Sequence, residues 1–354
     1  MKKLGGKIKQ PFYKRKAFWW PIGIILGLIL AVFVAFKISP WPGALVVRYV
    51  FSQDGAKSTQ ALARHVPDKD ITRLANQSYR ENDPDALLDV YFPTEISQDK
   101  KFPVLIWTHG GAWLSGSKDM YVQYFKILSA AGITVIAPNY SLAPEKTYPT
   151  AIHQLNDAYD YIKTNADRFH ADTSKIFLAG DSAGSQLSAQ MAAIITNPDY
   201  AKEVDVTPSL EPSELKGVLL NCGIYKMEGL IHPAPELPKI IGWGDDVAVW
   251  AYTGSRDFSN PIIKQMSPYY HVTSAFPPTY ISGGNDDPLT DAQSKPFAEE
   301  LKRLGVDVTT RFFSADHQPK LPHEYQFNLD TEDGKKALQA MWSFVEKYAS
   351  EPTS

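Results

Sequence analysis

Lys175-Ile176-Phe177-Leu178-Ala179-Gly180-Asp181-Ser182-Ala183-Gly184 is the stretch that decides how this chain is read. Its first half is a short, β-rich apolar run, and the residues that follow it are helix formers. Between them Gly180-Asp181-Ser182-Ala183-Gly184 has the G-x-S-x-G form, which holds a serine on a strained turn between strand and helix. Small residues two positions either side let the backbone pack closely at such a turn. The helix behind it aims its positive N-terminal end at the serine. The bare pattern is weak, because three fixed residues at frequencies near 7% match by chance in about one chain in ten of this length. The strand before it and the helix after it sharpen it. Ser182 is therefore the candidate nucleophile, poised to attack a carbonyl carbon.

Outward from this turn the same rhythm repeats. Val104 to Trp107 is an apolar run ahead of a helical stretch near 120–131, and Ile133 to Ile136 precedes a helix near 150–168. Val218 to Leu220, Thr279 to Ile281 and Val308 to Phe313 continue the series, with helices near 291–304 and 333–349. Buried strands alternating with helices predict an α/β domain over residues 81–350, with a mostly parallel sheet covered on both faces. Residues 223–270 break the rhythm with several prolines, Trp243, Trp250 and no strand pattern, and read as a cap over the site. Residues 38–80 read as a connecting helical segment. Within it, Ala44 to Phe51 is apolar enough to pack on the membrane surface or on the mouth of the domain.

A serine nucleophile needs an oxyanion hole, a base and a residue that orients the base. His109-Gly110-Gly111-Ala112-Trp113 follows the first apolar run. Its two glycines allow the N–H groups of Gly110 and Gly111, with that of Ala183, to meet a developing oxyanion. Taken alone, this loop is better explained as a plain glycine turn after a strand; set beside Ser182 it is not. His109 itself reads as a residue that shapes the loop. After a G-x-S-x-G turn of this kind the acid comes next in the chain and the histidine last. Asp286 and Asp287 follow the penultimate strand, and Asp287 precedes Pro288, which marks a loop. Two histidines, His317 and His323, lie far enough downstream to be the base.

His109-Gly110-Gly111-Ala112-Trp113, Asn139-Tyr140-Ser141-Leu142-Ala143-Pro144-Glu145, Gly180 to Gly184 and Asp287-Pro288-Leu289 together resemble the hormone-sensitive-lipase-like branch of the α/β-hydrolase fold, over roughly residues 85–350. The resemblance implies an esterase or lipase with Asp287 as the orienting acid. It also implies His323 as the base, because His323-Glu324-Tyr325-Gln326-Phe327 matches the family's histidine segment better than His317 does. Trp113 and Tyr140 are its candidate substrate-pocket residues. No metal and no organic cofactor are implied. Two departures stand out: Ala112 replaces the fourth loop glycine, and Ser185 follows the turn where the family often has glycine. Ala112-Trp113 also resembles the loop of aryl formamidases. A formamidase or amidase, an acyltransferase with the same triad, and a lipase acting on long chains are thus the alternatives to an esterase of short to medium acyl chains. A scaffold on an inactive hydrolase fold is opposed by the presence of every residue type the chemistry needs.

Ala17 to Phe36 is twenty residues without a charge, enough for a helix to span the roughly 30 Å hydrocarbon core. Trp19 and Trp20 suit its interfacial end. Residues 1–16 carry seven basic side chains and no acidic one. This predicts an uncleaved single-pass anchor over 17–37, a cytoplasmic N-terminal tail and an extracytoplasmic catalytic domain. The remaining 338 residues hold 29 basic against 39 acidic side chains, a balance that argues against nucleic acid as a partner. The expected partners are a small-molecule ester or an acylated surface polymer, and the lipid bilayer. One cysteine, Cys222, excludes an intrachain disulfide framework and a cysteine-based metal site.

Overall fold

The computed structural model describes residues 16–94, 97, 99–231 and 239–350. In chain order its elements are α1 (Lys16–Ile38), α2 (Trp41–Leu62), β1 (Ile71–Ser78), β2 (Leu87–Pro93), β3 (Phe102–Thr108), α3 (Val122–Ala130), β4 (Thr134–Pro138), α4 (Thr150–Thr164), β5 (Ala171–Asp181) and α5 (Ala183–Thr196). They continue as α6 (Pro198–Glu203), β6 (Leu215–Asn221), α7 (Glu228–Ile231), α8 (Lys239–Thr253), α9 (Pro261–Gln265), β7 (Thr279–Ser282), α10 (Lys295–Arg303), β8 (Val308–Arg311) and α11 (Glu332–Ser350).

Among the described residues one eight-stranded sheet runs in the order β1-β2-β4-β3-β5-β6-β7-β8. β1 and β2 are antiparallel to their neighbours, and every pairing from β4 through β8 is parallel. The two-residue period of the strands explains its two cores. Val104, Ile106, Ile176, Leu178, Val218 and Leu220 face one side, against α4, α5 and α10. Leu105, Trp107, Phe177, Ala179 and Leu219 face the other, against α3 and α11. Both faces are covered, so these strands read as continuous apolar runs rather than alternating ones. Truncating a fully buried residue here, such as Leu178→Ala, costs about 2–5 kcal/mol.

The helical connection expected over 38–80 ends early, because Ile71–Ser78 is the edge strand β1. It pairs on one side only, and most of its side chains reach solvent. Thr72, Arg73, Asn76 and Gln77 therefore replace the apolar run that betrays the inner strands. The expected cap over 223–270 is helical, with α7, α8 and α9 and no strand among its described residues; 232–238 lie outside them. α2 joins it. Ala44 and Val47 of α2 share a core with Val247, Ala248 and Ala251 of α8. A Cβ on Gly43 would meet the Val247 and Trp243 side chains at 2.9–3.3 Å, so α2 and α8 cross at close range there. α1 is one helix long and apolar enough to cross a membrane by length and composition, with mean hydropathy 2.5 over Trp19–Ile38 and none of that window buried in the protein. The basic tail before Lys16 lies outside the described residues.

Candidate active site

β5 ends at Asp181 and α5 begins at Ala183, which leaves Ser182 on the turn at φ 50° and ψ −121°. A residue with a side chain is strained there by about 1–3 kcal/mol, so its surroundings must hold it. The Ser182 N–H donates to Asn221 O at 2.9 Å. The Ser185 hydroxyl lies 2.7 Å from Gly180 O and 2.8 Å from Asn221 O, and accepts the Asn221 N–H at 2.9 Å. The serine that departs from the family's glycine thus straps β5 to β6 beneath the turn. Gly184 faces the end of β3 so closely that a Cβ would lie 2.6 Å from His109 O and nearer still to Thr108 O.

Asp287 sits after β7 and His323 in the segment after β8. His323 Nδ1 is 3.0 Å from Asp287 Oδ2, and Asp287 Oδ1 accepts the Leu289 N–H at 2.9 Å. The Asp287 side chain is buried, whereas Asp286 is exposed. His317 is engaged elsewhere: its Nε2 is 2.9 Å from Asp333 Oδ2 on α11, and its carbonyl accepts from Asn285 Nδ2 at 3.0 Å. Geometry thus brings Asp287 together with His323 and leaves Asp286 and His317 out.

Burial opposes a charge on His323, but contacts with Cys222 and Asp287 outweigh it and raise the imidazole well above its usual 6.5. The raising contacts are first Cys222, whose own thiol burial lifts from 9.0, and then Asp287, through its charge and its hydrogen bond. Cys222, Asp287 and His323 also place three ligand-type atoms within 4.8 Å of one another. They are the described residues that could hold a metal ion, and the pairing of Asp287 with His323 already accounts for their closeness.

The loop after β3 corrects one expectation. Gly110 N–H donates to Asp181 Oδ2 at 3.0 Å, so it is not available to an oxyanion. Among the described residues the N–H groups of Gly111, Ala112 and Ala183 have no acceptor in the chain. Ala112 and Trp113 sit at φ 54° and 59°, a turn that the fourth glycine of the family pattern would enter without strain. Gly110 is close to the nucleophile, since a Cβ on it would lie 3.1 Å from Ser182 Cβ. His109 is buried and its Nδ1–H donates to Gly110 O at 2.9 Å; burial pushes its imidazole down to about 4, so it is neutral.

Trp113 and Tyr140 support this loop and do not line the groove beside it. Both are buried because their rings are sandwiched in the core. Trp113 stacks on Tyr252 at 5.0 Å and donates its indole N–H to Gln186 Oε1 at 2.9 Å. Tyr140 stacks on His109 at 4.3 Å and donates to His109 O at 3.0 Å. The groove that reaches the loop is an apolar cavity of about 330 Å³ between α2 and α8, lined by Val46, Val47, Val50 and Phe51 on one side, Trp243, Asp245 and Ala248 on the other, and by Ala112. Burial, then the neighbouring Asp246, pushes the Asp245 carboxyl up to about 6.

Several residues of the site carry no sequence signal. Asp181 occupies a free position of the G-x-S-x-G pattern. It is fully buried, accepts from Trp107 Nε1 at 2.8 Å, and lies 3.3 Å from the Tyr121 hydroxyl. That hydroxyl is also 3.4 Å from Glu324 Oε2. Burial, then the Glu324 carboxylate, raises Asp181 well above the usual carboxylate range. Arg48 of α2 donates to Leu114 O at 2.6 Å, to Ala143 O at 2.9 Å and to both Glu145 oxygens, pinning α2 over the loop.

Residues 105–325 match a family model described as alpha/beta hydrolase fold, a span that opens in β3 and closes just past His323. An esterase of Gibberella moniliformis is 27% identical over 259 residues, covering 72% of this chain and 77% of that protein. Carboxylesterase 20 of Arabidopsis thaliana is 26% identical, covering 64% and 72%. Esterase LipC of Mycobacterium tuberculosis is 30% identical, covering 63% and 54%. Among solved structures, esterase B of Lactobacillus rhamnosis superposes with a TM-score of 0.75 at 19% identity, over 87% of this chain and 97% of that one. The esterase of Pyrobaculum calidifontis gives 0.67 at 21% identity, over 92% and 98%.

Proposed function

The chain belongs to the alpha/beta hydrolase family, and on that premise we propose that it is a carboxylic ester hydrolase working through Ser182, His323 and Asp287. The observation that carries this reading is the 3.0 Å approach of Asp287 to His323 Nδ1, at the same strand ends as a serine held at φ 50°. Relatives named esterase and carboxylesterase support the choice of ester as the scissile bond.

His323 takes the Ser182 hydroxyl proton as the oxygen attacks the acyl carbon, and Asp287 holds the imidazole in the tautomer that accepts it. The oxyanion receives N–H donors from Gly111, Ala112 and Ala183, each worth about 3–4 kcal/mol in the transition state. His323 then returns the proton to the leaving alcohol as the acyl–oxygen bond breaks. Water repeats the sequence on the acyl-enzyme, giving its hydroxyl to the acid and its proton back to Ser182. The groove of about 330 Å³ is at the small end of ligand pockets, which suits short to medium acyl chains. α1 serves as a single-pass anchor, with the N-terminus cytoplasmic and the catalytic body outside.

The test is hydrolysis of p-nitrophenyl esters over a chain-length series, with Ser182→Ala as control. The reading expects activity that peaks at short to medium chains and vanishes in the variant. Undiminished activity in Ser182→Ala would overturn it.

A further inference from the structure

The apolar groove is not closed off from the apolar span. α1 ends where the groove opens: the ring of Phe36 is 6.5 Å from that of Trp243, a groove residue, and Arg256 donates to Lys37 O at 2.7 Å. α2 starts three residues after α1 ends, so one wall of the groove is the direct continuation of the span. That wall is apolar on both sides. Val46, Val50 and Phe51 line the groove yet stay 40–54% exposed. Leu45, on the outer face of α2, is 53% exposed, and Ile38 at the end of α1 is 75% exposed. A contiguous apolar patch of this kind marks a surface that meets lipid or a partner. Arg256 meets Lys37 at its rim, and Trp41 opens α2 four residues further on, 44% exposed; these are the residue types that sit at headgroup level. Ala112 also lines the groove, and its N–H, which has no acceptor among the described residues, is one of the oxyanion donors of the reading above.

We propose that the substrate is an ester resident in the bilayer, whose acyl chain slides from the lipid into the groove between α2 and α8 without crossing water. This rests on the hydrolase reading and on α1 as an anchor. The substrate class is an amphiphilic carboxylic ester without an anionic headgroup, because the groove's walls are apolar apart from Asp245 and no cation is among its lining residues. The outer faces of α1 and α2 dip into the acyl layer, and Lys37 and Arg256 stay at the headgroups.

The test uses the full chain reconstituted in phosphatidylcholine vesicles, with two probes: didecanoylglycerol held in the bilayer, and p-nitrophenyl acetate dissolved in water. The double variant Ile38→Gln/Leu45→Gln touches neither the groove nor the reacting groups. It is expected to lower the bilayer rate at least about a hundredfold, the size of effect when two Leu-sized side chains no longer bury apolar surface in lipid. Acetate hydrolysis is expected to hold, and Ile38→Leu/Leu45→Ile to restore the bilayer rate. An unaltered bilayer rate, or an equal fall on both probes, overturns the proposal. An equal fall together with loss of a dimer in detergent assigns the patch to a second copy of the chain instead. Failure of the unchanged protein on acetate overturns the hydrolase reading, and the lateral route with it.

Discussion

Asp181 Oδ2 accepts the Gly110 N–H at 3.0 Å, so the residue before Ser182 holds the glycine loop that follows β3. On the proposed reading Asp181 is a positioning residue: it bonds to Gly110 and Trp107 and holds the loop that carries the Gly111 and Ala112 N–H groups. Asp181→Ala frees the loop. A displacement near 1 Å at such a site costs about a hundredfold in rate. Steady-state kinetics on p-nitrophenyl acetate should show kcat falling by that order with KM little changed, and Asp181→Asn, which keeps an acceptor, should recover much of it. A fall in KM alone would contradict the role.

The two downstream histidines separate cleanly. His323→Ala should reduce kcat by at least about a thousandfold, since it removes the base from a unit that works only whole. His317→Ala should leave kcat near the unaltered value. It should cost about 1–3 kcal/mol in urea unfolding, because Asp333, itself largely buried, loses its 2.9 Å partner. The opposite pattern would transfer the base to His317.

Activity should be lost on the acid side of neutrality at a higher pH than for an ordinary imidazole. His323 must be neutral to accept a proton, and its pKa is raised above 6.5, so the acid limb of kcat/KM lies above that value. Asp287→Asn removes one of the two contacts that raise His323. It should shift the limb to lower pH while reducing kcat. A limb below 6.5 in the unaltered protein would show that Asp287 does not act on His323 as described.

Much of this site was legible in the sequence for local reasons. The strand–turn–helix at Ser182 is written within ten consecutive residues, and Asp287 before Pro288 marks its own loop. β1 was not legible, because an edge strand with solvent on most of its side chains lacks an apolar run. Gly110 reads as an oxyanion donor in the sequence and is not free to be one, for a different reason. Its N–H is claimed by Asp181, 71 residues away in the chain, and no local pattern records that pairing. Trp113 and Tyr140 look like pocket aromatics by position, yet stacking on Tyr252 and His109 turns both into the core. Arg48 falls in a segment with no motif, and its role depends on carbonyls more than sixty residues away.

Arg48 leads to a prediction about chain-length preference. Arg48→Ala removes the bonds that pin α2 to Leu114, Ala143 and Glu145, and with them the fixed wall of Val46, Val47, Val50 and Phe51. KM for p-nitrophenyl octanoate should rise about tenfold, the equivalent of about two methylenes of lost burial, while acetate kinetics stay close to those of the unaltered protein. Equal effects on both esters would mean that α2 serves the fold and not the groove.

Covalent capture of the nucleophile tests the central claim most directly. A fluorophosphonate should phosphonylate the folded protein once, with fluoride leaving and the Ser182 oxygen bonded to phosphorus. Peptide mass spectrometry should place the adduct on the peptide containing Gly180 to Gly184, and Ser182→Ala should take up none. A stoichiometric adduct on another residue, or full labelling of Ser182→Ala, would contradict the account.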